Sequence, residues 1–426
     1  MYSPLISEKR LAKIVDAIRV VDPSFDPEPT PQGDAAARVA HLATLQGEGG
    51  ALLRPLKPEE ERWILNELVL CKSSFEYWAT RYTLIKTKET SSTTLFPLFE
   101  SQVIILDRIG KIEEQCNSRE RLDGILVAIL KARQLGASTL SEAMLAHRAF
   151  LYGNTTALIA ADVPAQSAYL YNMLERIYDN LPWWMQPEQK YREKEAQLYF
   201  DQTDSLILVE SGKSVRGGST LGQERGQMAR GKTIPLAHLS EISTWENAGQ
   251  IDDSLMPAIP RHPRTLAIFE STARGRGNEW HDMWLVACRG IGRVVPIFIP
   301  WYGESRTYVA RAPEGWEPTD LTKAHAERAL DVSARWCGKT IRLTRDQLFW
   351  WETTRTEAKE KRRLHTFLAE YCADPNEAFQ NTGQSVFPFE VLHDIRQRLK
   401  KPVGLVEIQP KAYLAGLEKE GLREHD

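Results

Sequence analysis

The chain has 426 residues, of which 42% are hydrophobic and 26% charged, with a formal net charge of -3. Such a length suggests two or three domains with a sizeable core, and any nucleic-acid contact must come from a local basic patch, not from overall charge. The five scattered cysteines form no C-x-x-C pair, no apolar run approaches a membrane span, and the N-terminus lacks an apolar leader; these argue against a disulfide framework, a zinc site or a membrane protein and for a soluble intracellular one.

Residues 7–21 form an amphipathic stretch expected to be helical, and Pro- and Gly-rich residues complete an N-terminal helix and flexible linker over 1–58. Helical periodicity runs through EEERWILNELVL, SFEYWATRYTLIK and SQVIILDRIGKIEEQ, which make a helical subdomain over 59–115. The pattern then changes. Short apolar runs at 125–130, 155–161, 234–240, 265–271 and 293–300 read as buried strands, and 198–200 with 205–210 as a hairpin. Helical segments at 138–151, 164–181 and 278–288 separate them. This alternation predicts an α/β core over 116–305, with a mainly parallel sheet flanked by helices. In such sheets ligands bind beyond the carboxyl ends of the strands. Residues 306–400 read as a helical lid and linker region, Trp-rich and polar over 343–371, and 401–426 as a tail.

The first apolar strand runs into KARQLGAST: Lys131, Ala132, Arg133, Gln134, Leu135, Gly136, Ala137, Ser138 and Thr139. A phosphate-binding loop follows the formula G-x-x-x-x-G-K-[ST]. Here the first glycine position holds Lys131 and the lysine position Ala137, while Gly136 and Ser138 fit. Ser138 stands where a Mg2+-binding hydroxyl belongs, and Lys131 or Arg133 could supply the missing cation from the other side of the loop. The alternative is a plain strand–turn–helix with two solvated cations.

HLSEISTW places Glu241 at a later strand end, where a carboxylate can orient the water that attacks a nucleotide. The preceding position, which can carry a second carboxylate for Mg2+, holds Ser240. In FESTARGRGNEW, Ser271 and Thr272 end another buried strand and Ala273 follows; the hydroxyls of Ser271 and Thr272 could bond a phosphate or cap the next helix. Between them, residues 210–232 are Gly-rich and carry Lys213, Arg216, Arg225, Arg230 and Lys232. Such a loop suits a phosphate backbone without base readout, or is simply a solvated loop. Upstream, Gln102 could bond an adenine edge. His262 and His281 have no partner at metal spacing and read as structural, and Trp183–Trp184 as core or interface.

The ordered series FEYWATRYTLIK, FPLFESQ, KARQLGAST, RGKTIPLAHLSEISTW, FESTARGRGNEW and EYCADPNEAF resembles the large terminase subunit of tailed double-stranded DNA bacteriophages, over about residues 66–395. The resemblance implies a P-loop NTPase core of the ASCE/RecA-like kind, using ATP and Mg2+ to pump double-stranded DNA into a procapsid. It further implies a deviant Walker A loop whose displaced lysine is Lys131, and an Arg133 that senses phosphate or acts on a neighbouring subunit. Gln102 would contact adenine, Glu241 would be the catalytic carboxylate of Walker B, and Ser271–Thr272 would fall in the motif coupling hydrolysis to DNA movement. The implied partners are the portal protein, the small terminase subunit and further copies of the chain in a ring, a pentamer on the procapsid and monomeric in isolation, in the host cytoplasm. That family's RNase H-like nuclease has no counterpart in the acidic tail, so no nuclease activity is expected of this chain. Two rival readings are a helicase-type ATPase, which needs a second RecA-like domain, and a docking module whose loop is dead because Ala137 replaces lysine.

Overall fold

The structure is a computed structural model that describes residues 30–47, 50–86, 92–189, 191–193, 197–201, 203–212, 229 and 231–379. The expected helix at 7–21, the segment after residue 379, and Lys213, Arg216, Arg225 and Arg230 of the basic loop lie outside the described residues. Lys232 is described and exposed.

Helix α1, Gln32–Ala43, occupies part of the stretch expected as flexible linker. Its Ala35 and Leu42 pack with Trp63 and Ile64 of α2, Pro58–Ser73, and with Trp183 and Trp184. The flanking prolines and glycines hide a short AAARVAHLA segment whose apolar side has a partner to bury against. Helix α3, Phe75–Tyr82, begins at Ser74, whose hydroxyl accepts the Tyr77 amide, and stops at Tyr82. The expected helix through SFEYWATRYTLIK is thus shorter. Thr83 turns extended, and β1, Leu84–Lys86, pairs antiparallel with β2, Thr93–Leu95. A β-branched Thr and Ile favour the pleated form where a partner strand is at hand. Helix α4, Glu100–Asn117, then leads to the sheet.

The main sheet has eight strands. In chain order they are β3 (Ile125–Lys131), β4 (Thr155–Ala161), β5 (Tyr191–Glu193), β6 (Gln197–Phe200), β7 (Ser205–Ser211), β8 (Leu236–Ser240), β9 (Leu266–Ser271) and β10 (Val295–Ile299). Their spatial order is β10-β3-β9-β8-β4-β7-β6-β5. All pairs from β10 to β7 are parallel, and β7-β6-β5 is an antiparallel edge. Every residue of β3, β8 and β9 is buried. This is why their sequences are continuous apolar runs without alternation. Helices α5 (Ala137–Leu151), α6 (Pro164–Asp179) and α7 (Glu279–Cys288) connect and cover the strands. The result is the α/β fold anticipated from the sequence, a mainly parallel sheet flanked by helices. One strand, β9, lies between the loop-bearing β3 and the carboxylate-bearing β8.

Beyond β10 come α8 (Asp320–Trp336), α9 (Arg345–Glu360), α10 (Leu364–Glu370) and α11 (Pro375–Ala378). Their Ala329, Trp351, Leu364, Phe367 and Leu368 join the same hydrophobic core as the sheet. His325 stacks on Trp351 with ring centroids 3.8 Å apart. The described residues contain only one other sheet, the β1–β2 pair, so they hold no second RecA-like unit. No helix among them is long and apolar enough to cross a membrane.

Candidate active site

Lys131 is the last residue of β3, and the loop 132–136 carries the chain into α5. The loop is pinned by its backbone: Ala132 N donates to Ile299 O at 3.0 Å and Arg133 N to Glu370 O at 2.9 Å. Gln134 and Gly136 take left-handed conformations, with φ of 56° and 72°. At Gly136 a side chain is also excluded by space, because a Cβ would lie 2.6 Å from Gln102 Nε2. Helix α5 starts with no side-chain cap and no acidic residue in its first turn. Its free amide groups and positive dipole end therefore suit an anion.

Lys131 points into the protein. Its ammonium lies 3.2 Å from Glu241 Oε1 and 3.7 Å from Glu270 Oε2, and its side chain is only 6% exposed. Burial works against the charged form, but the carboxylates of Glu241 and Glu270 outweigh it and raise the Lys131 pKa above its ordinary value. Glu241 follows β8 in a left-handed conformation (φ 54°, ψ 42°), an uncommon backbone state for a residue with a Cβ. Its side chain is 31% exposed, so it faces both Lys131 and solvent. Thr272 Oγ1 lies 3.4 Å from Glu241 Oε2. Ser271 Oγ accepts from Ser243 N at 3.1 Å and donates to Ser243 Oγ at 2.9 Å. The turns after β8 and β9 are thus laced together by the hydroxyls of Ser271 and Thr272, while Ala273 is buried.

Sequence reasoning missed Glu270. It is fully buried on β9, in register with Ser240 of β8. Its Oε1 accepts from Ser138 Oγ, from Ser240 Oγ at 3.0 Å and from His238 Nε2 at 3.1 Å. His238 Nδ1 in turn meets Glu142 Oε1 at 2.6 Å. Burial would raise the Glu270 pKa, yet Lys131 and His238 bring it down to about 2. Burial likewise opposes charge on His238, but Glu142 and Glu270 raise its pKa to about 9. The signal was present in TLAIFES: a carboxylate inside a wholly buried strand needs charged or hydrogen-bonding partners.

The structure brings Lys131, Ser138, Glu241, Ser271 and Thr272 together, and sends other expected residues elsewhere. Gln102 is buried with both ends of its amide engaged, Oε1 accepting from Phe99 N and Nε2 donating to Gly136 O, each at 2.8 Å. These bonds brace the loop. Arg133 turns outward, 52% exposed, and pairs with Glu370 Oε1 of α10 at 2.9 Å. Its carbonyl accepts from the Tyr308 hydroxyl. The Thr139 hydroxyl faces α6, with Met173 Sδ at 4.0 Å. Leu135 and Ala137 are buried filling of the loop.

No family model matches the chain, and no curated protein does. Solved structures similar to it include the large terminase of bacteriophage HK97, at 14% identity and a TM-score of 0.38, covering 80% of this chain and 55% of that one. Another is the ATPase domain of the Thermus phage P74-26 large terminase, at 15% identity and a TM-score of 0.34, covering 58% and 87%. A third is the large terminase of a thermophilic bacteriophage in complex with ATP-γ-S, at 9% identity and a TM-score of 0.34, covering 55% and 49%. The chain spans about half the length of the HK97 protein and of this third one. These are the proteins whose family the ordered motifs resemble. At such TM-scores the likeness carries no residue-by-residue correspondence.

Proposed function

We propose that this chain is the ATP-hydrolysing motor part of a phage large terminase. The observation that carries the reading is the meeting of Lys131 and Glu241, at the ends of two parallel strands and beside an uncapped helix N-terminus. In this reading ATP places its phosphates against the 131–139 loop. Lys131 holds the outer phosphate, the first-turn amides of α5 hold the inner ones, and Glu241 orients the attacking water. Mg2+ fits the oxygen donors at the loop, and Ser138 would hold it there. Bound Mg2+ would neutralise charge on the phosphates. Arg133, exposed at the surface, would act on a neighbouring subunit in this reading. Ser271 and Thr272 link the turn bearing Glu241 to the following loop, a route by which the state of the site can reach DNA-gripping segments.

Within that reading the substrate of movement is double-stranded DNA, gripped by Lys213, Arg216, Arg225, Arg230 and Lys232. The working form is a homo-oligomeric ring docked on the portal of a procapsid in the host cytoplasm, with the small terminase subunit as a further partner. The ordered motifs favour this over a helicase, and the buried Lys131 argues against a loop that is dead for want of a lysine at position 137.

ATP hydrolysis by wild type and Glu241→Gln, with and without duplex DNA, tests the reading. Wild type should hydrolyse ATP, faster with DNA. The variant should lose about a hundredfold or more of the rate while still binding nucleotide. Hydrolysis by Glu241→Gln at the wild-type rate would overturn the catalytic assignment. Charge-neutralising Arg225 and Arg230 should reduce DNA stimulation and its salt dependence. Unchanged stimulation would overturn the DNA assignment.

A further inference from the structure

Strand β8 reaches the site with Ser240 just before Glu241, so the strand that carries the water-orienting carboxylate brings no second one. Mg2+ bound with phosphates takes one or two protein carboxylates in addition to hydroxyl and water oxygens. The neighbouring strand provides one. Glu270 of β9 stands in register with Ser240, and a glutamate reaches one methylene further than an aspartate would.

We propose that Glu270 supplies the carboxylate that holds the divalent cation together with Ser138, a role moved from β8 to β9. This deepens the nucleotide-hydrolase reading and rests on it.

Three observations support the assignment. The Ser138 hydroxyl donates directly to Glu270 Oε1, so a cation that touches Ser138 lies beside this carboxylate. The second oxygen, Oε2, is buried with no hydrogen-bond partner and lies 3.7 Å from the Lys131 ammonium, on the side of the phosphate-binding lysine. The Lys131 ion pair, at 3.7 Å, is too long for a hydrogen bond and leaves this oxygen able to accept a closer partner. Finally, Oε1 is fixed from behind by His238 and Ser240, and His238 is itself held by Glu142. Such outer partners orient a ligating carboxylate and leave its other oxygen for the metal. A mere counter-ion for Lys131 would not need this support, since Glu241 already lies closer, at 3.2 Å.

The test uses Mn2+ as the probe. Binding of ADP is measured first in EDTA, then Mn2+ binding to the ADP complex is titrated by electron paramagnetic resonance. In Glu270→Gln, ADP should still bind in EDTA, while Mn2+ should bind about tenfold or more weakly. Because Glu270 also holds His238 and Ser240, the double variant Glu270→Ser with Ser240→Asp is titrated beside it, both checked by thermal melting. Returning the carboxylate to β8 should recover Mn2+ binding relative to Glu270→Ser alone. Wild-type Mn2+ affinity in Glu270→Gln, or no recovery in a folded double variant, would overturn the inference. A wild type that binds ADP neither in EDTA nor with Mn2+ present would instead overturn the reading beneath it.

Discussion

Lys131 and Glu241 are 110 residues apart in sequence, and their charged groups stand 3.2 Å apart in the fold. The contact joins the end of β3 to the turn after β8, across the end of β9. It answers the main irregularity of KARQLGAST. The loop lacks lysine at position 137, and in the proposed reading Lys131, at its other end, supplies the cation from the strand. Between two carboxylates in a buried setting that lysine stays charged. Because Lys131 also pairs with Glu270, and Glu270 with His238, losing one member leaves the buried others paired.

Arg133 has a different position, and a different outcome follows. It is half exposed and paired with Glu370, an arrangement worth at most about 1 kcal/mol once solvent screening is included. Arg133→Ala should therefore melt within a few degrees of wild type and bind nucleotide with little change when the chain is monomeric. Calorimetric titration checks this. A loss of affinity of about tenfold or more would mean that Arg133, not Lys131, grips the phosphates.

Gly136 and Gly110 should respond to alanine with opposite signs. At Gly136 the left-handed backbone and the Gln102 amide both oppose a methyl group. Gly136→Ala should cost about 1–3 kcal/mol and weaken nucleotide binding. Gly110 lies inside α4, where an added Cβ would meet nothing within 4 Å. Gly110→Ala should gain about 0.5–1 kcal/mol. Melting temperatures of the two variants, measured side by side, decide the matter.

A pH effect on stability comes from buried His147 of α5. Burial among Phe75, Trp78 and Tyr152 pushes its pKa down to about 4, with one ring nitrogen on Cys71 O at 2.8 Å. The folded value lies below the unfolded one, so the unfolded state takes up the proton first as pH falls. The stability contributed by neutral His147 is complete above the unfolded value near 6.5 and is lost as pH falls toward 4. Between about pH 7.5 and about pH 5.5 the loss should be about 1 kcal/mol, and His147→Phe should flatten that part of the profile. Denaturant melts at the two pH values measure it.

The sheet was legible because buried parallel strands spell themselves as apolar runs: ILVAILK, TTALIAA and LAIFES leave little choice. Gly136, Ser138 and Glu241 were legible because the loop formula and the strand ends single them out. What escaped depended on distant partners. Glu270 reads as an ordinary strand residue until β8 and α5 bring Ser240, His238 and Ser138 to it. The partner of Arg133 lies 237 residues further on. The partners of Gln102, Phe99 N and Gly136 O, are likewise visible only in the fold. Helix α1 was hidden by the prolines and glycines around it, and its reason to form is Trp63 of the next helix.

Titration of a slowly hydrolysed ATP analogue into wild type and Lys131→Ala, each confirmed folded by melting, tests the displaced lysine most directly. Wild type should bind, and the variant should bind at least about tenfold more weakly. Equal affinity in a folded Lys131→Ala would contradict the account.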